Sequence, residues 1–421
     1  MRDVDHARRA ISKDRTGQIL GLALPLIATP SPNPEGDTRA VAALAADLLR
    51  THVAGVEVEL HPGAADIVNV VARIRGSAPG RRVVFNGHLD TYPTGERASW
   101  SVSPEGEIAQ GRLYGRGAAD MKGGIAASMA AMAALAEQRA HWTGEVVLTL
   151  AGDEESMGPC GTKFLLDEVP HATGDATIIG DAGSPTVLRF GETGFIWLEI
   201  TAEGRAAHGA HVHLGVNALD RLREALDRVS ALRGFAVATP AAVRDAIARA
   251  KSISEPICGA GEADVLSSVT VNVGIVTGGV SPNLVPSSAR AAIDLRLPVG
   301  VASADVLAML QQQLDLPGIA WRVLRRFEPN HTDPGEEVVT RCAAAAAEII
   351  GTAPAINMRV GGSDARWFRM AGVPTVVYGP TPHNMGAPDE YADIAELATV
   401  SRVHALTAFD MLTERKRAVN E

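Results

Sequence analysis

Apolar residues in the first part of the chain fall into short runs separated by a longer alanine-rich stretch. Residues 81–86 (RRVVFN), 145–151 (EVVLTLA) and 176–180 (ATIIG) are compact runs rich in β-branched side chains, and each predicts a buried strand. Residues 123–139, rich in alanine and methionine, predict a helix between the first two. The rhythm returns near the C-terminus, with a helix over 338–350, a strand over 373–378 and a closing helix over 391–412. Strands alternating with helices predict an α/β fold built on a doubly wound, mostly parallel sheet. The middle of the chain has a different texture. Residues 193–201, 265–276, 289–297 and 320–324 alternate apolar and polar positions, as strands with one solvated face do. Helices are expected over 217–232 and 302–314. The pattern therefore predicts an α+β domain at 188–327 inserted into a first domain formed by 1–187 and 328–421.

The chain has 421 residues, 46% hydrophobic and 21% charged, which is ordinary globular composition and enough for two cores. The net charge of −10 gives no support to a nucleic-acid partner. Cys160, Cys258 and Cys342 are far apart and form no CxxC pair, so neither a disulfide framework nor a cysteine metal site is expected, and a cytoplasmic setting follows. The apolar segment 19–29 is interrupted by Pro25 and too short to cross a bilayer. It is expected to be a helix packed on the core, and no membrane partner is expected.

Candidate chemistry gathers just after the predicted strands. His88 and Asp90 follow the first strand, Glu154 and Glu155 the second and Asp181 the third; His383 follows the strand over 373–378. Open α/β sheets bind ligands outside the carboxyl ends of their strands, so these groups are expected on one edge. Asp120 lies in the loop GRGAADMKGG at 115–124, which leads into the alanine-rich helix. That loop is not a dinucleotide fingerprint, which needs a preceding strand and a glycine where Asp120 stands. Two histidines and several carboxylates suit zinc, manganese or cobalt, and one carboxylate can bridge two ions. Asp90 is spaced to accept the second ring N–H of His88. Of the adjacent glutamates, one can bind metal while the other takes a proton from the attacking water.

These motifs together resemble the co-catalytic metallopeptidase family that includes acetylornithine deacetylase, succinyl-diaminopimelate desuccinylase, aminoacylase-1 and carboxypeptidase G. The resemblance rests on GHLD at 87–90, GRGAADMKGG at 115–124, GDEE at 152–155, the Asp181 turn, AHG at 207–209, LGVNA at 214–218, SPNLVP at 281–286, DLR at 294–296, GGSDA at 361–365 and DEY at 389–391. It implies that His88, Asp120 and Asp181 hold one ion, and Asp120, Glu155 and His383 the other, with Asp120 bridging. Zinc is expected first, with manganese and cobalt as alternatives. Glu154 would be the general base and then the acid, and Asp90 the residue orienting His88. His208 would stabilise the developing oxyanion, Asn283 and Arg296 would hold a substrate carboxylate, and Gly362 and Ser363 would line the pocket. The resemblance also implies a cis peptide at Asp120–Met121 and a homodimer formed through the inserted lid domain. Two positions depart from the family pattern. Its last histidine usually stands four or five residues before the Glu of the closing helix, whereas His383 lies seven before Glu390 with Gly386 between them; and Asp181 replaces a frequent Glu.

The expected activity is hydrolysis of an amide in a small carboxylate-bearing molecule such as an N-acyl amino acid or dipeptide. Release of ammonia from an aromatic or heterocyclic amine at the same metal edge is the alternative reaction. A ligand-binding module without catalysis is the non-enzymatic alternative.

Overall fold

The structure, a computed structural model, describes residues 2–34 and 36–413. The chain divides into two compact units: Met1–Phe190 with Thr332–Asn357 and Ser363–Glu421, and Gly191–His331 with Met358–Gly362.

The first unit is built on a mixed sheet. Its centre is four parallel strands in the order Glu145–Ala151, Arg82–His88, Ala176–Ile179, Thr375–Val377. Antiparallel strands flank them: Val68–Arg75 and then Glu57–Pro62 on one side, Val187–Glu192 on the other. The parallel core is the part the hydrophobic runs predict. The Glu57–Pro62 and Val68–Arg75 hairpin lies outside that reading, because strand Glu57–Pro62 keeps polar residues half-exposed and carries no apolar run. Register sets the geometry of the edge. Phe85 stands opposite both Leu148 and Ile178, and His88 opposite Ala151, so three strands deliver their following residues side by side.

The alanine-rich helix Lys122–Glu137 is buried from Lys122 to Ala136 and packs against helices Thr16–Ala28 and Ile394–Thr413. Small side chains let it lie close to the sheet. A Cβ on Gly124 would stand 1.9 Å from the Gly180 carbonyl oxygen, so only glycine allows this approach, one residue before Asp181. The closing helix begins at Ile394 rather than 391, because Tyr391–Asp393 pairs as a short strand with Arg112–Tyr114. Among the described residues no helix is long and apolar enough to cross a membrane, and the three cysteines are free.

The second unit is a four-stranded antiparallel sheet in the order Thr270–Gly278, Ser288–Leu297, Gly194–Glu203, Ile319–Phe327. Helices Ala218–Ser230 and Ser303–Gln313 cover one face, where Ile196, Leu198, Leu222, Val229, Ile293 and Leu310 form the core. Residues 265–269, expected in a strand, instead close helix Glu262–Ser267 and its turn. Helix Ala241–Cys258 buries Val243, Ala246, Ile247, Ala250 and Ser254, an i, i+3, i+4, i+7 stripe that the sequence reading passed over.

His404 sits fully buried on the closing helix, its ring stacked on Phe85 at 5.5 Å. Nε2 is 2.7 Å from the Tyr378 carbonyl oxygen and therefore donates to it, while Nδ1 is 3.2 Å from Ser128 Oγ. Burial pushes its pKa down to about 4, below the ~6.5 of an unfolded histidine. The native state thus refuses a proton that the unfolded chain accepts. The stability from this group is complete above about pH 6.5 and is lost as pH falls towards 4, by about 3 kcal/mol in all. Thermal melts between pH 7 and pH 4.5 should show a falling Tm, and His404→Gln should flatten that slope. An unchanged slope would remove His404 from the account.

Candidate metal centre

Each acidic or imidazole side chain of the sheet edge is placed by the turn that follows its strand. His88 is the last residue of strand Arg82–His88 and is buried. Its Nδ1 is 2.9 Å from the backbone carbonyl of Asp90, so Nδ1 carries the proton and donates. Nε2 then faces Asp120 Oδ1 at 3.0 Å. A bare Nε2 lone pair and a carboxylate are both acceptors, so this contact needs a proton or a cation between them. Burial alone would lower the His88 pKa, but the Asp120 and Asp90 carboxylates outweigh it and hold it well above the ordinary value.

The Asp90 carboxylate does not take the ring proton of His88 as the spacing suggests. Its Oδ1 is 3.6 Å from Nδ1, and the carboxylate is already engaged elsewhere. It accepts from the Asn33 side-chain amide at 2.8 Å and from the backbone N–H groups of Glu154 at 3.2 Å and Glu155 at 2.9 Å. Asp90 therefore fixes the turn that carries both glutamates, and its own carbonyl orients His88.

Glu155 joins His88 and Asp120: one ligand atom from each lies within 4.8 Å of the others. Its carboxylate accepts the Tyr92 amide N–H at 3.1 Å. Burial and the Asp120 charge raise its pKa strongly. Glu154 is held differently. Its Oε1 accepts from Arg366 Nη1 at 3.1 Å, and the same nitrogen donates to the Ser363 carbonyl at 2.7 Å. Burial pushes Glu154 up to about 7, against the pull of His88 and Arg366, and Asp364 and Asp181 add to the rise. Asp364 is itself pushed up to about 6 by burial and accepts from Thr162 Oγ1 at 2.8 Å.

The loop carrying Asp120 is shaped by Glu390, a buried residue that the sequence reading used only as a motif letter. Glu390 Oε1 accepts the N–H groups of Gly117, Ala119 and Asp120 at 3.1, 3.0 and 3.1 Å. Its other oxygen pairs with Arg116, which also donates to the Gly386 and Ala387 carbonyls. The peptide Asp120–Met121 is cis. Arg366 and Asn33 were likewise outside the sequence reading. They contact glutamate and aspartate across 212 and 57 residues, and nothing local announces such pairs.

Two expected ligands stand outside the trio. Asp181 is buried at the carboxyl end of strand Ala176–Ile179, where its carboxylate accepts the N–H of Ala182. His383 stacks on Tyr391, with ring centroids 4.3 Å apart and planes 5° from parallel, and its Nε2 lies 3.6 Å from Asp393 Oδ2. Residues 383 and 391 also pair through their backbones. Ser363 is fully buried in the first unit, where its Oγ accepts the Ala365 N–H.

The remaining expected residues belong to the second unit. His208 is exposed, with Nδ1 accepting the Ala210 N–H at 3.1 Å, and the rings of His211 and His213 follow it in a row. Asn283 accepts from Ser281 Oγ, and its carbonyl accepts the Gly209 N–H at 2.7 Å. Arg296 pairs with Asp294 at 2.9 Å and lies over the Phe195 ring. Gly362 ends the short return segment Met358–Gly362.

The sequence pattern of peptidase family M20/M25/M40 matches residues 84–410. The chain belongs to this family. It is 32% identical over 407 residues to a succinyl-diaminopimelate desuccinylase of Methylorubrum extorquens, covering 91% of this chain and 96% of that protein. The fold is that of an M20 family metallo-carboxypeptidase from Sulfolobus solfataricus, with a TM-score of 0.77 at 20% identity over 94% of this chain and 100% of the other. A dinuclear metal binding peptidase of the same family from Bacillus subtilis superposes with a TM-score of 0.66 at 14% identity, covering 94% and 98%. As an M20 family member the chain is a metal-dependent amide hydrolase with a divalent-metal site.

The residues present fit such ions. Asp90, Asp120, Glu154, Glu155, Asp181 and Asp364 crowd one edge, and His88 and Arg366 are the cationic groups set against Glu154 there. Burial of that many carboxylates is relieved either by protonation or by added positive charge, which divalent ions supply. His88, Asp120 and Glu155 are the first donors to supply. Glu390→Gln leaves Arg116 buried without its counter-charge, so it should cost about 3 kcal/mol of stability. It should also weaken divalent-metal binding by loosening the Asp120 loop. Chemical denaturation and metal titration of the variant check both effects; full retention of both would overturn the clamp.

Proposed function

We propose that the chain hydrolyses the amide bond of a small N-acyl amino acid or dipeptide with a free carboxylate, and that N-succinyl amino acids head the list of substrates. The observation that carries this reading is the cluster of buried His88 and Asp120 with half-buried Glu155, and Glu154 beside it, its carboxyl pushed up to about 7. Divalent ions bound there polarise the scissile carbonyl and lower the pKa of water. Glu154 takes the proton of the attacking water on the carboxylate oxygen that Arg366 does not hold. A carboxyl with a pKa near neutrality both accepts that proton and returns it to the leaving nitrogen. Asp90 keeps the two glutamates apart in role by binding both backbone amides. Asp181 is proposed as a further ligand from the same edge. Zinc suits the imidazole and carboxylate donors, and manganese and cobalt are the alternatives.

The substrate roles of His208, Asn283, Arg296, Gly362 and Ser363 are proposed on the family resemblance. Arg296 offers the planar fork that binds carboxylates, and Asp294 already orients it. A homodimer and a cytoplasmic location are part of the same proposal. The desuccinylase likeness supports the N-succinyl choice.

Metal-loaded protein is incubated with N-succinyl and N-acetyl amino acids and with dipeptides, and free primary amine is measured beside ammonia. Amine release is expected. Glu154→Gln should lower kcat by roughly 10²–10⁴-fold with a much smaller change in KM. Near-normal turnover in that variant, or ammonia as the sole product, would overturn the reading.

A further inference from the structure

We propose that Glu59, His61 and His171 form a further metal site, separate from the His88, Asp120 and Glu155 centre, for a divalent ion of the zinc class. The inference does not depend on the hydrolytic reading.

One ligand atom from each of these three side chains lies within 4.8 Å of the others. Glu59 and His61 stand two apart on strand Glu57–Pro62, so both side chains leave the same face. His61 Nε2 is 3.0 Å from Glu59 Oε2, and His171 Nε2 is 3.2 Å from the same oxygen. Zinc bonds of about 2.0–2.2 Å in a tetrahedron set neighbouring donors roughly 3.4 Å apart, and both N···O separations are near that spacing. The His171 Nε2 atom is buried and makes no hydrogen bond, close as it is to Glu59. A buried imidazole nitrogen set against a carboxylate without a hydrogen bond suits a cation as the partner of both. The backbone on each side is fixed. His171 sits in a turn where the carbonyl of buried Val169 accepts the Ala172 N–H at 2.9 Å, with Pro170 at the second position, which favours the turn. Arg82 Nη1 donates to the Thr173 carbonyl of the same segment at 3.1 Å. The His61 carbonyl accepts from the buried Asn69 side chain at 3.2 Å. The His61 and His171 side chains are 25% and 21% exposed and that of Glu59 41%, so an ion enters from solvent past Glu59.

Two imidazoles and one carboxylate select a zinc-class ion against magnesium and calcium, which prefer all-oxygen sets. Three protein donors leave the fourth position of the tetrahedron to water. Both Nε2 atoms bind through their lone pairs, so any proton they carry goes to Nδ1 or to solvent on binding. The ion ties the outermost strand of the large sheet, which pairs with Val68–Arg75, to the turn that follows helix Thr162–Glu168.

The full chain, free of any affinity tag, is stripped with chelator, loaded with Zn²⁺ and passed through gel filtration before elemental analysis. Wild type should retain one zinc ion per chain more than His61→Ala or His171→Ala, and excess Mg²⁺ should not displace it. Both variants should release amine from an N-acyl amino acid as fast as wild type, because neither residue belongs to the His88, Asp120 and Glu155 centre. Thermal melts in chelator establish that each variant is folded. A second measurement uses wild type alone: Zn²⁺ should protect His61 and His171 from modification by diethyl pyrocarbonate, mapped by mass spectrometry. Equal zinc in wild type and both variants, full modification of His61 and His171 in the zinc-loaded wild type, or loss of the ion together with amine release in the variants each overturns the proposal. A wild type that releases no amine would sink the hydrolytic reading and leave the zinc count and the protection to decide this one.

Discussion

Like charge confined away from water governs this molecule. Several carboxylates converge where the parallel strands end, and burial lifts Glu154, Glu155 and Asp364 above the range in which a carboxyl ionises freely. Such a cluster must take up protons or admit a positive charge. The contact between His88 Nε2 and Asp120 Oδ1 makes the same demand at a single pair of atoms, since a proton on the ring or a cation must join them. Divalent ions can answer that demand, and the chain belongs to a family of metal-dependent hydrolases.

The protein keeps the cluster open for ions by using other carboxylates as braces. Asp90 and Glu390 are both buried, and their oxygens hold backbone amides. Asp90 holds the amides of the glutamate turn, and Glu390 holds three amides of the Asp120 loop. Charge-assisted bonds of this kind are stronger than neutral ones and set backbone position within narrow limits. Fixed turns let side chains from two strand ends and one helix-entry loop meet at metal-binding distances.

The sequence carried the parallel core and the trio plainly, because both depend on local pattern. Hydrophobic runs of 81–86, 145–151 and 176–180 mark central strands, and strand ends mark where His88, Glu154, Glu155 and Asp181 emerge. What it did not carry depends on contacts between distant residues. Arg366 on Glu154, Asn33 on Asp90 and Glu390 on the Asp120 loop have no local signature. The spacing of His88 and Asp90 suggested a side-chain partner, yet the backbone carbonyl is nearer once the chain turns. His383 stacks on Tyr391, a contact that no local pattern announces. The stripe along helix Ala241–Cys258 is a local pattern and is legible in the sequence.

The carboxylate of Glu390 lies 270 residues along the chain from the Asp120 amide that it binds. During synthesis the polypeptide leaves the ribosome from its N-terminus, at about 5–20 residues per second. Asp120 is therefore exposed for many seconds before the residue that shapes its loop has been polymerised. A nascent chain carries Asp120 without the residue that frames its loop, so that loop can take its final shape only when translation is nearly complete.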